Sequence, residues 1–272
     1  MSVAVAVTGI RGRLRRVGAV VLRDYYVLRR SAPRMLEIVY WPLVEVLIWG
    51  YVSVFLQANR VPTILAVLLG GTLLWQVLYR SQETVTVAFL EDIWSRNLLN
   101  VFTSPLTTSE YLAGVIVFGL LKLVVGTAVM AVLAFVLYGF GLLRMGPELV
   151  PFVFLLLVMG WSLAIITIGI ILRFGQSAEI VAWAMAFAFQ PFAAVFYPVA
   201  VLPAGMQVVA RLVPASYIFE GMRAVLAGEG VIWSDLAWAA GLDVLYAAGA
   251  IWFMARMLAH VRASGGLSRF GE

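Results

Sequence analysis

The run Ile180–Ala210 is IVAWAMAFAFQPFAAVFYPVAVLPAGMQVVA and contains no charged residue. Because roughly 20 helical residues cross the hydrocarbon core of a membrane, this run is too long for one crossing. The residues in excess of one crossing begin at Pro198 and include Pro203. We therefore expect one span to end near Tyr197, and an apolar hairpin to follow without crossing. Irregular backbone is tolerated at membrane depth only where protein buries it or it lines a cavity. Such a hairpin is typical of the mouth of a transporter.

Composition supports a helical membrane protein. The chain of 272 residues is 63% hydrophobic and only 12% charged, whereas soluble domains are about one quarter charged. Its apolar runs do not alternate as the strands of a membrane barrel do. The absence of cysteine excludes disulfides and thiolate metal sites, and a single histidine, His260, offers no metal centre. We predict no metal site and no catalytic residue in this chain.

Positive charge is concentrated before the first apolar segment. A helix with an apolar stripe is predicted over Ile10–Arg30, lying in the membrane plane. The arginine bias predicts a cytoplasmic N-terminus, and anionic lipid explains it better than nucleic acid does in so apolar a chain. The arginines concerned are Arg11, Arg13, Arg15, Arg16, Arg23, Arg29, Arg30 and Arg34.

Six spans are predicted, and their even number returns the C-terminus to the cytoplasm. We expect a single transmembrane domain over 1–272, divided into an interfacial helix (1–34), a six-span bundle (35–258) and a cytoplasmic tail (259–272). The predicted spans are Met35–Leu56, Val61–Tyr79, Tyr111–Tyr138, Leu149–Leu172, Ile180–Tyr197 and Leu236–Ala255. The bundle is interrupted by a short helix over 91–102 and by the hairpin over 198–228.

The loop between the second and third spans carries the short amphipathic helix of 91–102. Its apolar stripe includes Trp94, Leu98 and Phe102. The physics leaves two surfaces that could bury this stripe, the lipid headgroups or the groove of a partner protein. The sequence from Thr107 to Glu110 has the spacing of a capping box and predicts the start of the third span.

Three ionisable residues, Glu45, Lys122 and Asp243, fall at the middle depth of predicted spans. Each would cost a few kcal/mol facing lipid. They could form an ion relay, or Lys122 could form a structural ion pair with one of the two acids. Because Lys122 is the only lysine of the chain, we favour the structural pair.

The order of these parts resembles the permease subunit of ABC transporters of the type-2 exporter class. The resemblance is carried by Arg96-Asn97-Leu98-Leu99 followed by Ser104-Pro105-Leu106-Thr107-Thr108-Ser109-Glu110-Tyr111, and by Phe196-Tyr197-Pro198 with Leu202-Pro203, Pro214 and Arg223. It implies an all-α fold in a bacterial inner membrane, with a cytoplasmic coupling helix and a re-entrant outer hairpin. It also implies a dimer, formed with a second copy or a close paralogue, and two copies of a separate ABC ATPase.

The resemblance assigns three groups of residues. The ATPase contact would comprise Glu91, Asp92, Trp94, Arg96, Leu98 and Phe102. The translocation path would be lined by Trp75, Gln76, Tyr79, Gln190, Phe192, Phe196 and Tyr197. The outer gate would comprise Pro198, Leu202, Pro203, Pro214, Glu220 and Arg223. Such a path suits an amphiphile, whether lipid, lipo-oligosaccharide, glycan or hydrophobic drug.

The energy source separates the alternatives. A P-loop needs a lysine that reaches the phosphates of ATP, and Lys122 lies inside a predicted span without that motif. If the resemblance holds, ATP and Mg would therefore bind to the partner subunit. A self-sufficient secondary transporter or channel would instead use Glu45, Lys122 and Asp243 as its relay. An intramembrane enzyme would need clustered catalytic groups, and none is visible.

Overall fold

The structure is a computed structural model that describes residues 9–58 and 64–263. Those residues form ten α-helices joined by short 3-10 turns, and none of them is in a β-strand. The helices are α1 (Ile10–Arg29), α2 (Ala32–Ala58), α3 (Ile64–Trp94), α4 (Leu98–Thr103), α5 (Thr108–Tyr138), α6 (Leu149–Phe174), α7 (Ile180–Ala193), α8 (Ala204–Ala210), α9 (Pro214–Ala227) and α10 (Trp233–Ala263).

Five segments of the described chain are long and apolar enough to cross a membrane. They are Ala32–Gln57, Ile64–Trp94, Thr108–Tyr138, Leu142–Phe174 and Trp233–Val261. They correspond to the predicted spans one, two, three, four and six. The chain is therefore a multi-pass membrane protein by the length and composition of its helices.

The segment expected to be the fifth span differs from the rest. Instead of a helix over Ile180–Tyr197, α7 ends at Ala193 after 14 residues, a length of about 21 Å against a hydrocarbon core of about 30 Å. The helix stops because Ala194 adopts left-handed backbone angles, with φ 54° and ψ 43°. The count of six crossings therefore stays a prediction.

The core forms around α3 and α6. Leu73, Leu78 and Leu156 are at most 1% exposed there. Gly160 of α6 allows the close approach of the two helices, since a Cβ at this position would lie 2.6 Å from the carbonyl oxygen of Leu78. The long helix α10 packs on the other side of α6.

The predicted capping box at the start of α5 is confirmed. The Glu110 N–H donates to the Thr107 hydroxyl at 3.3 Å, and the Thr107 N–H donates to the Glu110 carboxylate at 3.0 Å. These contacts satisfy two backbone donors that a helix start otherwise leaves free. The predicted short helix over 91–102 needs a correction, because α3 continues through Trp94 and α4 starts only at Leu98.

Candidate functional site

Helix α1 lies against the start of α5. A bidentate contact joins them, with Arg16 Nε 2.9 Å from Glu110 Oε2 and Arg16 Nη2 2.7 Å from Glu110 Oε1. Further along α5, Val20 of α1 packs against Gly114. A Cβ at Gly114 would lie 2.5 Å from the Val20 Cβ. The opposite side of α1 leaves Ile10 and Leu14 exposed, as expected of a helix with one apolar face free for the membrane.

Asp92 joins three parts of the chain at the end of α3. It is 5% exposed. Its carboxylate accepts hydrogen bonds from Arg23 Nη1 of α1 at 3.0 and 3.2 Å, from the Tyr111 hydroxyl of α5 at 2.7 Å, and from Asn97 Nδ2 at 3.2 Å. We call the pairs Arg16–Glu110 and Arg23–Asp92, together with Tyr111, the ion-pair clamp. Because its members belong to α1, α3 and α5, it ties these helix ends together.

The turn after the clamp exposes the surface that the sequence assigns to a partner. Trp94 is 45% exposed, and its indole N–H donates to Glu179 at 3.3 Å. Arg96 is exposed and holds a left-handed φ of 54°, which turns the chain from α3 into α4. Glu91 pairs with Arg34 at 3.0 Å. The side chains of Leu98 and Phe102 lie outside the described part of the structure.

A cavity of about 260 Å³ opens beside the clamp, between α1, α2, α3 and α5. Its charged lining combines four acids with three bases, and its apolar lining includes aromatic and aliphatic side chains. The charged residues are Asp24, Glu37, Glu83, Glu91, Arg34, Arg80 and Lys122. Burial raises the pKa of the Asp24 carboxyl, and this outweighs the lowering effect of Arg23.

A polar chain runs along α3 into this cavity. Gln76 donates to the Glu45 carboxylate, and Arg80 Nε donates to the Gln76 side-chain oxygen at 3.2 Å. Arg80 Nη1 then pairs with Glu83 at 2.7 Å. Hydrogen bonding of this kind is what polar side chains need in an apolar interior.

Aromatic side chains link α3 to α7. Phe187 lies with its ring centroid 6.3 Å from Trp75 and 5.1 Å from Tyr79, and it is 48% exposed. Near the end of α7, Phe196 stacks on Trp49 of α2 with centroids 4.1 Å apart. These rings form a partly exposed aromatic wall, an environment that suits the apolar part of an amphiphile.

The hairpin after α7 is fixed by one ion pair. Glu220 and Arg223 lie 3.2 Å apart on α9, as their spacing of three residues on a helix allows. Arg223 Nη1 also donates to the carbonyl of Ala194 at 2.8 Å, and Glu220 accepts the N–H of Val199 at 2.6 Å. The pair therefore holds α9 against the bend at which α7 ends.

The segment expected to form the hairpin, 198–228, contains the two short helices α8 and α9. The predicted gate residue Pro214 occupies the first turn of α9, where its missing N–H costs nothing. Leu202 accepts a hydrogen bond on its carbonyl from Gln207 at 2.8 Å, and Pro198 and Pro203 flank the short turn Val199–Val201.

A sequence profile of the ABC-2 type transporter family matches residues 25–227, from the end of α1 to the end of α9. The chain belongs to the ABC-2 type transporter family. ABC-2 domains are the membrane permeases of ABC transporters; they are transport components rather than catalytic ones, and they typically pair with an ABC ATPase. A comparison with curated proteins found no match.

In this ABC-2 permease the expected path residues divide into two sets. Trp75 and Gln76 are 3% and 2% exposed; Trp75 packs beside Phe187, and Gln76 bonds Glu45 beside the cavity. The other expected residues remain partly exposed within the chain: Tyr79, Gln190, Phe192, Phe196 and Tyr197. The sequence missed Phe187, whose position one helical turn before Gln190 on the same helix could have suggested it.

The ion pair predicted for Lys122 of the permease is absent from the described residues. Glu45 is bound by Gln76. Asp243 is 2% exposed, and neither of its carboxylate oxygens has a hydrogen-bond partner within the described chain. Lys122 instead lies near Asp24 and Glu91. The pairing was therefore wrong, because depth along a span does not reveal which helices face each other.

The sequence also missed the ion-pair clamp. Asp92 was expected to contact an ATPase, yet its carboxylate is occupied by partners within the chain. A signal was present, since Arg16 and Arg23 are seven residues apart and so share one face of α1. Among the described residues, no group of three or more His, Cys, Asp or Glu side chains is placed to hold a metal ion.

Proposed function

We propose that this permease is the membrane subunit of an ATP-driven exporter in a bacterial inner membrane, with both termini in the cytoplasm. Two copies, or one copy and a close paralogue, form the path for an amphiphile such as a lipid, lipo-oligosaccharide, glycan or hydrophobic drug. Two copies of a separate ABC ATPase bind ATP and Mg and dock on the turn between α3 and α5. This docking surface comprises the exposed Trp94 and Arg96, and α4.

The ion-pair clamp carries this proposal. An ATPase can drive transport only if its movement reaches the membrane helices, which requires a stiff connection at the docking surface. Asp92 supplies it two residues before Trp94, because the same carboxylate binds α1 through Arg23 and α5 through Tyr111. A push on the turn therefore moves the ends of three helices together.

The aromatic wall and the hairpin support the proposed path and gate. Phe187 and Phe196 present partly exposed rings along α7 and the bend that follows it, where an alkyl chain or a sugar face can stack. The hairpin is anchored to that bend through Arg223 and Glu220. We propose that it closes the outer end of the path.

The arrangement gives less support to a self-sufficient transporter. Its relay would need Glu45, Lys122 and Asp243 to exchange protons, directly or through water. Within the described residues, each of the three has different surroundings, and no contact joins them.

Docking is tested by co-expressing the permease with candidate ABC ATPases of the same organism and isolating the complex. Trp94→Ala and Arg96→Glu should each reduce the recovered ATPase, by about tenfold if these residues are central to the interface. Trp233→Ala is the matched control, because Trp233 is 73% exposed at the start of α10. Unchanged recovery and substrate-stimulated ATP hydrolysis in both variants would refute the assigned docking surface.

A further inference from the structure

The cavity beside the clamp contains ionic groups that the chain leaves unmatched. Two of its ion pairs are complete, Arg34 with Glu91 at 3.0 Å and Arg80 with Glu83 at 2.7 Å. Lys122 makes no ion pair or hydrogen bond with any described residue, although it lies near enough to Asp24 to interact electrostatically. Among the described residues that line the cavity, Lys122 is therefore a cation without an ion-pair partner.

Asp24 supplies a free acceptor in the same cavity. Its Oδ1 accepts from Arg23 Nε at 2.9 Å. Its Oδ2 is buried and accepts no hydrogen bond from the described chain. A buried carboxylate oxygen without a donor is costly, so this atom is an available site for a cationic or N–H group. Lys122 and Asp24 both line the cavity and form no ion pair with each other.

Most of the remaining lining is apolar, and its polar members are Glu37, Gln76, Thr84 and Thr127. Pro42, Phe118, Leu123 and Met130 contribute to it from α2 and α5, and Trp94 and Trp183 contribute indole rings. An alkyl chain would be buried favourably there. A ligand that complements Lys122, the free Asp24 oxygen and the apolar lining thus has an anionic group, a cationic group and an apolar chain.

We propose that this cavity binds the head of one zwitterionic amphiphile of the phosphoethanolamine type, with its phosphate on Lys122 and its ammonium on Asp24. The apolar chain lies along Phe118 and Met130. The assignment rests on the proposed transport of amphiphiles, but it concerns binding alone and needs no ATPase. The cavity opens on the half of α3 that carries the clamp, so the ligand would come from the leaflet on the ATPase side.

The test titrates dioctanoyl-phosphatidylethanolamine into the purified permease in detergent and follows the tryptophan fluorescence, to which Trp94 and Trp183 of the cavity contribute. Dioctanoyl-phosphatidylglycerol provides a phosphate without an ammonium, dodecylamine a cation without a phosphate, and phosphoethanolamine a headgroup without a chain. We expect the phosphatidylethanolamine to bind most tightly. If either single-charge amphiphile binds as tightly, the zwitterionic assignment is overturned.

Variants assign the two charges separately. Lys122→Gln should weaken binding of both phospholipids about tenfold, and Lys122→Arg should restore much of it. Asp24→Asn should weaken the phosphatidylethanolamine by a similar factor and leave the phosphatidylglycerol unchanged. Arg144→Gln, which changes an exposed cation outside the cavity, is the control.

Equal affinity of wild type, Lys122→Gln and Asp24→Asn for the phosphatidylethanolamine would refute the site. Gel filtration and the thermal midpoint of each variant show whether it is folded, and Lys122→Arg keeps the phosphate arm testable if Lys122→Gln is not. Because binding is measured without the ATPase, loss of ATPase docking in the earlier experiment and loss of lipid binding here are separate results.

Discussion

Replacing Asp92 with asparagine should lower the free energy of unfolding by about 2 kcal/mol. Breaking a fully buried ion pair costs about 3–5 kcal/mol. The Arg23 side chain is 33% exposed, so solvent screens part of the interaction and the expected cost falls below that range, to about 2 kcal/mol. The asparagine oxygen can still accept from the Tyr111 hydroxyl, so that bond is kept. For a chain of this size, the loss corresponds to a fall of about 4–8 °C in the thermal midpoint.

The assay is thermal unfolding of the purified permease in detergent, followed by a double-mutant cycle with Arg23→Gln. The double variant should be about as stable as Arg23→Gln alone, because Arg23→Gln already removes the pair with Asp92 together with the contact to Asp24. Arg13→Gln is the control, because Arg13 is exposed on the same helix without an ion pair to the described residues; its effect should stay below about 0.5 kcal/mol. An unchanged midpoint for Asp92→Asn, or full additivity with Arg23→Gln, would refute the clamp.

Three further variants test other contacts. Gly114→Val should separate α1 from α5, because any Cβ there meets Val20; a cysteine at position 20 should then react faster with a thiol reagent, and an unchanged rate argues against the contact. Asp243→Leu should raise the free energy of unfolding by about 1–2 kcal/mol, and the thermal midpoint with it, since it removes a buried carboxyl that has no partner among the described residues; a lower midpoint would reveal a partner. Arg223→Gln should free the hairpin and speed labelling of a cysteine at Val199 by an external impermeant reagent; an unchanged rate would show that the ion pair is not its anchor.

Local features of the sequence predicted much of the fold. The Thr107–Glu110 capping box is recognised from a spacing of three residues. The long apolar helices are recognised from hydropathy averaged over the length of a membrane-spanning helix. The amphipathic helix α1 was visible for the same reason, since its stripe depends on periodicity alone.

Features that depend on tertiary contacts were not predictable in this way. The left-handed backbone of Ala194 that ends α7 could not be predicted from its residue type, because alanine normally favours continuing a helix. The sequence favoured a loop at the polar end of α3. The helix continues there because Asp92 is bound by Arg23 and Tyr111, which come from other helices. The choice of Arg23 among many arginines, and the place of Lys122 beside Asp24, depend on which helix faces lie together.

The length of α3 has a mechanical consequence. Its 31 residues form a rod of about 46 Å, and the described helix contains no proline that could bend it. Near one end it carries Asp92, and near the other Gly71 lies against the carbonyl of Val195, where a Cβ would be 2.8 Å from that oxygen. A tilt of about 10° around the centre of such a rod moves each tip by about 4 Å, in opposite directions. A displacement of the Asp92 end would therefore move the Gly71 end, and the hairpin in contact with it, in the opposite direction. No relay of side chains between the two ends is needed.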